Sequence, residues 1–141
     1  MKHVELWADG ASKGNGTENA TAGFGVILKM GSYEKEFSGK VPGAQTNNRA
    51  ELTAVIYGLS KLKYSCEVTV YTDSSVVCSA PDCILRGYRT SNKKPAANKD
   101  LLEKLATLLK LHNVEFKKVA GHSGNKYNER CDMLASSACY L

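Results

Sequence analysis

The sequence predicts an α/β (mixed α+β) fold in which a mixed five-stranded sheet is flanked by helices. Two observations carry this prediction. The predicted elements run in the order β-β-β-α-β-α-α-β-α, where three successive strands indicate an antiparallel portion and the later alternation indicates strands added to the same sheet. The 141 residues, 43% hydrophobic and 23% charged, are typical of one globular domain with a buried core.

The first three strands are predicted at 3–8, 23–29 and 33–41. The first alternates polar and apolar residues and is expected to end at Asp9, before a turn rich in glycine, serine and asparagine that runs through Gly16. Only a Met-Gly-Ser tripeptide separates the second strand from the third, a spacing typical of a β-hairpin.

Hydrophobic spacing divides the rest of the chain. Apolar residues at helical spacing predict helices at 47–62, 100–111 and 128–138, and short apolar runs predict strands at 67–72 and 114–119. A further helix of two to three turns is expected after Asp73.

Composition narrows the class of protein. No apolar run approaches the roughly 20 residues that a membrane-spanning helix needs, and the first residues do not resemble a signal peptide. We therefore expect a cytoplasmic protein without a membrane partner, and separately we expect a monomer. The five cysteines form an odd set without a Cys-x-x-Cys pair, which is typical of scattered reduced side chains and not of a disulfide framework or a zinc site.

The net charge of +5 permits nucleic acid binding without demonstrating it. Its distribution is more informative, because the segment 86–99 contains five basic residues and no acidic one. Two interpretations of this segment stay open: a solvated surface loop, or a strip that contacts phosphates and releases their counterions.

Four acidic residues are candidates for a metal site. Asp9 and Asp73 each follow an apolar strand, where ligand sites of α/β sheets gather and where a desolvated carboxylate needs a positive partner. Glu51 falls in the first turn of a helix, where it could instead complete a capping box with Asn48 as N-cap. Asp132, in the closing helix, could instead face solvent. If the four acids meet, their oxygens suit Mg²⁺ or Mn²⁺.

Four local motifs then occur in a fixed order: W-A-D-G at 7–10, T-N-N-R-A-E-L at 46–52, Y-T-D-S at 71–74 and G-H-S-G-N-K-Y-N-E-R-C-D at 121–132. Together they closely resemble ribonuclease H of type 1, the stand-alone bacterial enzyme with its relatives in reverse transcriptases. The resemblance extends from Val4 to about Ala138. It implies an RNase H-like fold and a single catalytic domain over 1–141 that acts on RNA–DNA hybrid duplexes.

The resemblance also implies site residues. Asp9, Glu51, Asp73 and Asp132 match the family's four metal-binding carboxylates, with Asp9 shared by two Mg²⁺ or Mn²⁺ ions, Asp73 and Glu51 completing one site and Asp132 the other. His122 matches a histidine that assists proton movement or product departure, with a surface loop histidine as the alternative. The implied reaction is attack of water on a phosphorus of the RNA strand, which leaves 5′-phosphate and 3′-hydroxyl ends.

Five further residues match substrate-binding positions of the family. Asn15, Asn47 and Asn48 match residues along the hybrid's minor groove, where 2′-hydroxyls and base edges are displayed, with turn and cap roles as the alternatives. Thr46 and Asn98 match a pocket that holds a phosphate of the DNA strand. Because phosphate contacts do not read bases, the resemblance implies cleavage that is largely independent of sequence.

Two departures from the family pattern stand out. Stand-alone bacterial relatives carry a basic, tryptophan-bearing protrusion after the Y-T-D-S motif, whereas the segment 74–86 is too short for it and Trp7 is the only tryptophan. We infer weaker substrate affinity and a preference for Mn²⁺ or for higher Mg²⁺. The other departure is a longer turn at 16–22, close to the predicted groove-binding loop.

Three alternatives stay open. The chain could bind hybrids without cleaving them, although the presence of all four acids and His122 argues against this. It could be a different nuclease or a strand-transfer enzyme of the same fold, although such enzymes usually carry extra domains. It could also be a domain of a reverse transcriptase, and here the free enzyme is preferred.

Overall fold

The computed structural model describes residues 1–14, 19–41, 46–121 and 124–141. These residues form the predicted elements in the predicted order. The strands are β1 (Lys2–Lys13), β2 (Thr21–Met30), β3 (Tyr33–Val41), β4 (Cys66–Thr72) and β5 (Asn113–Lys118). The helices are α1 (Asn47–Ser60), α2 (Ser75–Leu85), α3 (Lys99–Leu111) and α4 (Lys126–Ala138).

The strands make one mixed sheet in the order β3-β2-β1-β4-β5. β1, β2 and β3 pair antiparallel, whereas β4 pairs parallel to β1 and β5 pairs parallel to β4. The hairpin between β2 and β3 turns at Gly31, whose φ of 61° lies in the left-handed region that glycine adopts without a steric penalty. The mixed five-stranded sheet and the hairpin predicted from the sequence are confirmed.

Helices cover both faces of the sheet. One core lies under α1, α2 and α3 and includes the fully buried Leu6, Leu59 and Leu105. A second, smaller core lies under α4, where the ring of Trp7 stacks on Tyr71 at 4.2 Å and on Tyr127 at 5.3 Å between ring centroids. The alternation of side chains along β1 sends Leu6 to the first core and Trp7 to the second.

β1 is longer than expected, so the prediction that it ends at Asp9 is wrong. The strand continues to Lys13, paired along its length with β2. Its pairing with β4 stops at Trp7, opposite Tyr71, because β4 itself ends one residue later. Asp9 therefore lies inside a strand, at the point where β1 no longer has a neighbour on one side.

The start of α1 also corrects an expectation. Thr46 is the N-cap, and its Oγ1 accepts a hydrogen bond from the Arg49 backbone N–H at 3.3 Å. Asn48 instead lies within the first turn, so its interpretation as N-cap, and the capping box with Glu51, are wrong. The side chain of Glu51 is buried, as a capping residue in an exposed first turn would not be.

All five cysteines are free, and Cys66, Cys131 and Cys139 are buried. Among the described residues, none of the helices has the length and apolar character needed to cross a bilayer.

Candidate active site

Gly10 allows Asp9, on β1, to lie close to Glu51, on α1. A Cβ at this position would overlap the backbone of Ala50 and Glu51, so β1 and α1 can touch here only because the side chain is absent. The Gly10 N–H also donates a hydrogen bond to Asp9 Oδ1 at 2.9 Å. The W-A-D-G motif thus places a carboxylate where the strand and the helix are closest.

Asp73 joins these two acids from the end of β4. The next residue, Ser74, caps α2 by accepting a hydrogen bond from the Val77 N–H at 3.2 Å, which fixes where the chain turns away from the sheet. One carboxylate oxygen from each of Asp9, Glu51 and Asp73 lies within 4.8 Å of the other two. Three of the four predicted ligands therefore converge in the structure.

Asp132 approaches from the opposite face, on α4. Gly25 pairs with Asp9 in the sheet, and a Cβ on Gly25 would overlap the carbonyl oxygen of Cys131 and lie 2.7 Å from Leu134 Cβ. The missing side chain lets the α4 backbone rest on β2 beside Asp9. Asp132 is half-buried and lines the same cleft as the other acids, but it stands outside the group that meets within 4.8 Å. A metal-binding role for Asp132 stays a prediction.

The cleft is open and polar, with a volume of about 460 Å³. Its other lining residues include hydroxyl, amide and amino side chains from β1, α1 and α4, among them Ser12, Lys13, Asn47, Asn48 and Ser136. Donors of this kind suit a ligand that presents hydroxyl and phosphate oxygens.

Burying the acids of the metal-free cluster costs folding free energy. Asp9 is 4% exposed and Glu51 9% exposed. Burial raises the pKa of Asp9, with further increases from the charges of Asp73 and Asp132. Burial and the charge of Asp9 likewise raise the pKa of Glu51. Glu51 Oε2 has no hydrogen-bond partner among the described residues, so it is an acceptor whose desolvation nothing in this part of the chain offsets.

The residues predicted to hold a DNA phosphate lie beyond the cleft. Asn48 lines both the cleft and a neighbouring cavity of about 370 Å³, which also includes Arg86 and Asn98. Asn98 precedes α3, and its Oδ1 accepts a hydrogen bond from Arg49 Nη1 at 3.0 Å. Thr46 is exposed at the start of α1.

Asn15 and His122 lie outside the described residues. Gly121, the residue before His122, packs against the acidic cluster, since a Cβ built on it would lie 3.1 Å from Asp73 Oδ2. Residues 16–18 of the longer turn at 16–22 are likewise outside the described ranges, and Thr21 and Ala22 belong to β2.

Two side-chain contacts, one in the cleft and one beside it, were not anticipated from the sequence. Ser12 Oγ donates a hydrogen bond to Asn47 Oδ1 at 2.7 Å, and Arg49 joins α1 to the start of α3. Arg49 belongs to the T-N-N-R-A-E-L motif and Ser12 follows the W-A-D-G motif. This closeness to the motifs was the sequence signal that could have indicated a role for them. Their partners are 35 and 49 residues away in sequence, which no local pattern reveals.

Comparisons with known proteins agree with one another. The family model described as RNase H matches residues 1–140. A Ribonuclease H from Clostridium botulinum (strain Hall) is 44% identical over 98% of this chain and 96% of its own length. A Ribonuclease H from Prosthecochloris aestuarii is 43% identical over 97% of this chain and 95% of its own.

Solved structures match over nearly the whole chain. LC9-RNase H1, described as a type 1 RNase H with the type 2 active-site motif, superposes with a TM-score of 0.83 at 27% identity, covering 99% of this chain and 73% of that one. The RNase H domain of prototype foamy virus, at 23% identity and a TM-score of 0.80, covers 99% of this chain and 96% of its own and shares the fold. The RNase H-like fold expected from the motifs is confirmed.

Proposed function

The chain belongs to the ribonuclease H family, and on that premise we propose that it is an endonuclease that hydrolyses the RNA strand of RNA–DNA hybrids with two divalent ions, leaving 5′-phosphate and 3′-hydroxyl ends. The observation that carries the proposal is the convergence of Asp9, Glu51 and Asp73 within 4.8 Å, in a cleft that Asp132 also lines. We assign the catalytic role to these four acids and to His122, in a single domain over 1–141.

The four acids fit a hard divalent cation. They offer only carboxylate oxygens, which Mg²⁺ and Mn²⁺ prefer. The unpartnered Oε2 of Glu51 and the raised pKa values of Asp9 and Glu51 describe a site whose ionised form needs a positive charge. When bound, the ions would supply Lewis-acid assistance to water attack and to departure of the leaving oxygen. The two ions are proposed to be Mg²⁺ or Mn²⁺.

The polar residues of the cleft are proposed to orient the RNA strand. Ser12 holds the Oδ1 of Asn47, which leaves the amide N–H groups of Asn47 to donate to an acceptor such as a ribose 2′-hydroxyl. Asn48 is exposed beside it, and Asn15 is assigned to the same groove contact. Recognition through 2′-hydroxyls distinguishes RNA from DNA without reading bases.

His122 is proposed to assist proton movement at the leaving group. A neutral imidazole titrates near physiological pH, so it can both accept and release a proton during a reaction cycle. The position of Gly121, the residue before His122, supports this role, because a Cβ built on it would lie 3.1 Å from Asp73 Oδ2 and the chain therefore passes close to the acidic cluster.

The DNA strand is proposed to be held by Thr46 and Asn98. The cavity shared by Asn48, Arg86 and Asn98 adjoins the acidic cleft, so an anionic strand could extend from one to the other. This continuity favours the phosphate-contact interpretation of the basic segment 86–99. Backbone contacts of this kind set the register of the duplex and leave cleavage largely independent of sequence.

The proposal is tested by cleavage of RNA–DNA, RNA–RNA and DNA–DNA duplexes of one sequence, with Mg²⁺, with Mn²⁺ and with a chelator. We expect cuts only in the RNA strand of the hybrid, only with metal, and products that carry a 5′-phosphate. Equal cleavage of the DNA duplex, or cleavage in the chelator, would contradict the proposal. Hybrid binding without cleavage in either metal would favour a binding module.

The expectation that the protein is a cytoplasmic monomer stays a prediction.

A further inference from the structure

We propose that Arg49 is a positioning residue for the DNA-strand contact: anchored by Asp100, its guanidinium orients the side chain of Asn98 toward a phosphate. This inference rests on the proposed function, which assigns that contact to Thr46 and Asn98. It gives a role to two residues, Arg49 and Asp100, that neither hold metal nor line the acidic cleft.

Arg49 contacts both members of the phosphate pocket. Its backbone N–H donates to Thr46 Oγ1 at 3.3 Å, and its Nη1 donates to Asn98 Oδ1 at 3.0 Å. The same guanidinium grips Asp100 with two hydrogen bonds, from Nη1 to Oδ1 at 2.9 Å and from Nη2 to Oδ2 at 2.7 Å. A planar guanidinium fixes the directions of its bonds to Asn98 and Asp100 at once, which a lysine ammonium cannot do.

Asn98 depends on this support because its own helix does not hold its side chain. Its backbone is left-handed, with φ of 63° and ψ of 32°, and its side chain makes no capping hydrogen bond to α3. The N–H groups of Leu101 and Leu102 bond instead to the Asn98 carbonyl, each at 3.0 Å. The side-chain oxygen of Asn98 faces Arg49, so its amide N–H groups face the other way, as donors for an anion.

The ion pair restricts what Arg49 can do. Both terminal nitrogens of Arg49 already bond to Asp100, and the guanidinium holds the pKa of Asp100 at about 2, so the pair stays ionised at any assay pH. A negative charge beside a phosphate site weakens phosphate binding if it acts only through space. If Asp100 acts only through its charge, neutralising it strengthens phosphate binding. If Asp100 acts by positioning Arg49, neutralising it weakens phosphate binding.

The experiment is steady-state cleavage of a hybrid, with metal-free hybrid binding by fluorescence anisotropy as a second readout. Asn98→Ala, Arg49→Lys and Asp100→Asn are each expected to raise KM about three- to tenfold, the size of one hydrogen bond, while kcat stays within about twofold. Glu36→Gln is the matched control, because it also neutralises the acid of an exposed bidentate pair, with Arg130. It is expected to leave KM unchanged.

A double variant separates positioning from independent contributions. If Asp100 acts through Asn98, Asp100→Asn combined with Asn98→Ala binds no more weakly than Asn98→Ala alone. Additive losses, or a KM for Asp100→Asn that is unchanged or lower, would overturn the proposal and indicate direct phosphate contact by Arg49 or a purely structural pair. An unchanged KM in Asn98→Ala would overturn it as well. Anisotropy measures hybrid binding without catalysis. If the protein binds the hybrid but does not cleave it, the result therefore counts against the proposed function and not against this inference.

Discussion

Glu51 is the residue at which stability and function conflict most. Its side chain is buried in the metal-free protein beside Asp9, with one oxygen unpartnered among the described residues. A packed apolar side chain of similar volume would stabilise this position more than an uncompensated acid does. The conflict is understandable if a cation normally completes the site, because the free energy that burial costs in folding is then recovered on binding.

The first prediction concerns the pH dependence of stability in a chelator. The pKa of Glu51 is raised by burial from its ordinary value of 4.5, so above that pH the unfolded chain ionises while the folded protein keeps its proton. The free energy of unfolding therefore falls as pH rises from 4.5 toward the raised pKa. Glu51→Gln removes this contribution and is expected to be more stable than the unsubstituted protein at about pH 8, with a flatter dependence down to about pH 5.

Urea unfolding at the two pH values measures this difference. Glu103→Gln, an exposed glutamate of α3, is the matched control and is expected to change nothing. If Glu51→Gln kept the full pH dependence, the acid would not be protonated in the metal-free fold.

The second prediction concerns catalysis. Asp73→Asn keeps the size of the side chain but replaces one carboxylate oxygen by an amide nitrogen and removes the charge. It is therefore expected to abolish hybrid cleavage while the circular dichroism spectrum stays unchanged. Asp82→Asn makes the same chemical change at an exposed position of α2 and is expected to cleave normally. Retained activity in Asp73→Asn would show that the assignment of this acid is wrong.

At the residue scale, the sequence showed which side chains could hold metal better than it showed where side chains lie in the fold. The four acids could be named from their motifs, yet Asn48 could not be told from Thr46 as the N-cap, because both are good capping residues two positions apart. The cap is decided by where the chain leaves β3 and enters α1, which is a tertiary property. The roles of Ser12 and Arg49 could not be predicted for the same reason.

At the scale of elements, hydrophobic periodicity was sufficient to find each helix and strand. It did not show that β1 runs to Lys13, because the residues after Asp9 are small or polar and lie in a strand through their pairing with β2. It also did not show that α4 rests on Gly23 and Gly25. A glycine in a strand pattern indicates close approach of another backbone, but not which one.

The third prediction tests the packing of α3. Leu105 is fully buried in the core under α1, so Leu105→Ala is expected to lower the free energy of unfolding by about 2–5 kcal/mol. Leu85, at the end of α2, is 85% exposed, and Leu85→Ala is expected to change stability by less than about 0.5 kcal/mol. Chemical denaturation measures both values. Equal losses would mean that α3 does not pack as described.

At the scale of the whole molecule, the absence of a basic protrusion is the main difference from the stand-alone bacterial pattern. α2 ends at Leu85, and the described residues from there to α3 contain no further helix. The segment 86–99 contains five of the 19 lysine and arginine residues and no acidic residue.

The fourth prediction follows from that difference. Hybrid binding is expected to be weaker than in a protrusion-bearing relative at equal salt. Its salt dependence is expected to be shallower, by roughly 0.9 in the logarithmic slope for each DNA phosphate that the protrusion would have neutralised. Cleavage is expected to require more Mg²⁺, or to prefer Mn²⁺. Anisotropy titrations over a range of salt measure the slope, and equal affinities would remove this inference.

The site as a whole could be predicted only in part, because its acids lie at positions 9, 51, 73 and 132 and come from four separate elements. Composition and spacing could say that such oxygens suit Mg²⁺, but not that they meet. The family resemblance supplied that expectation, and the close approaches at Gly10 and Gly25 supply its physical basis.

The account depends most on Asp9, Glu51, Asp73 and Asp132 forming a cation site, and the melting temperature tests this most directly. Millimolar Mg²⁺ or Mn²⁺ is expected to raise the melting temperature above its value in a chelator at matched ionic strength, because a cation that binds only the folded protein stabilises it. In Asp9→Asn that increase is expected to disappear. A melting temperature that neither ion changes in the unsubstituted protein would contradict the account.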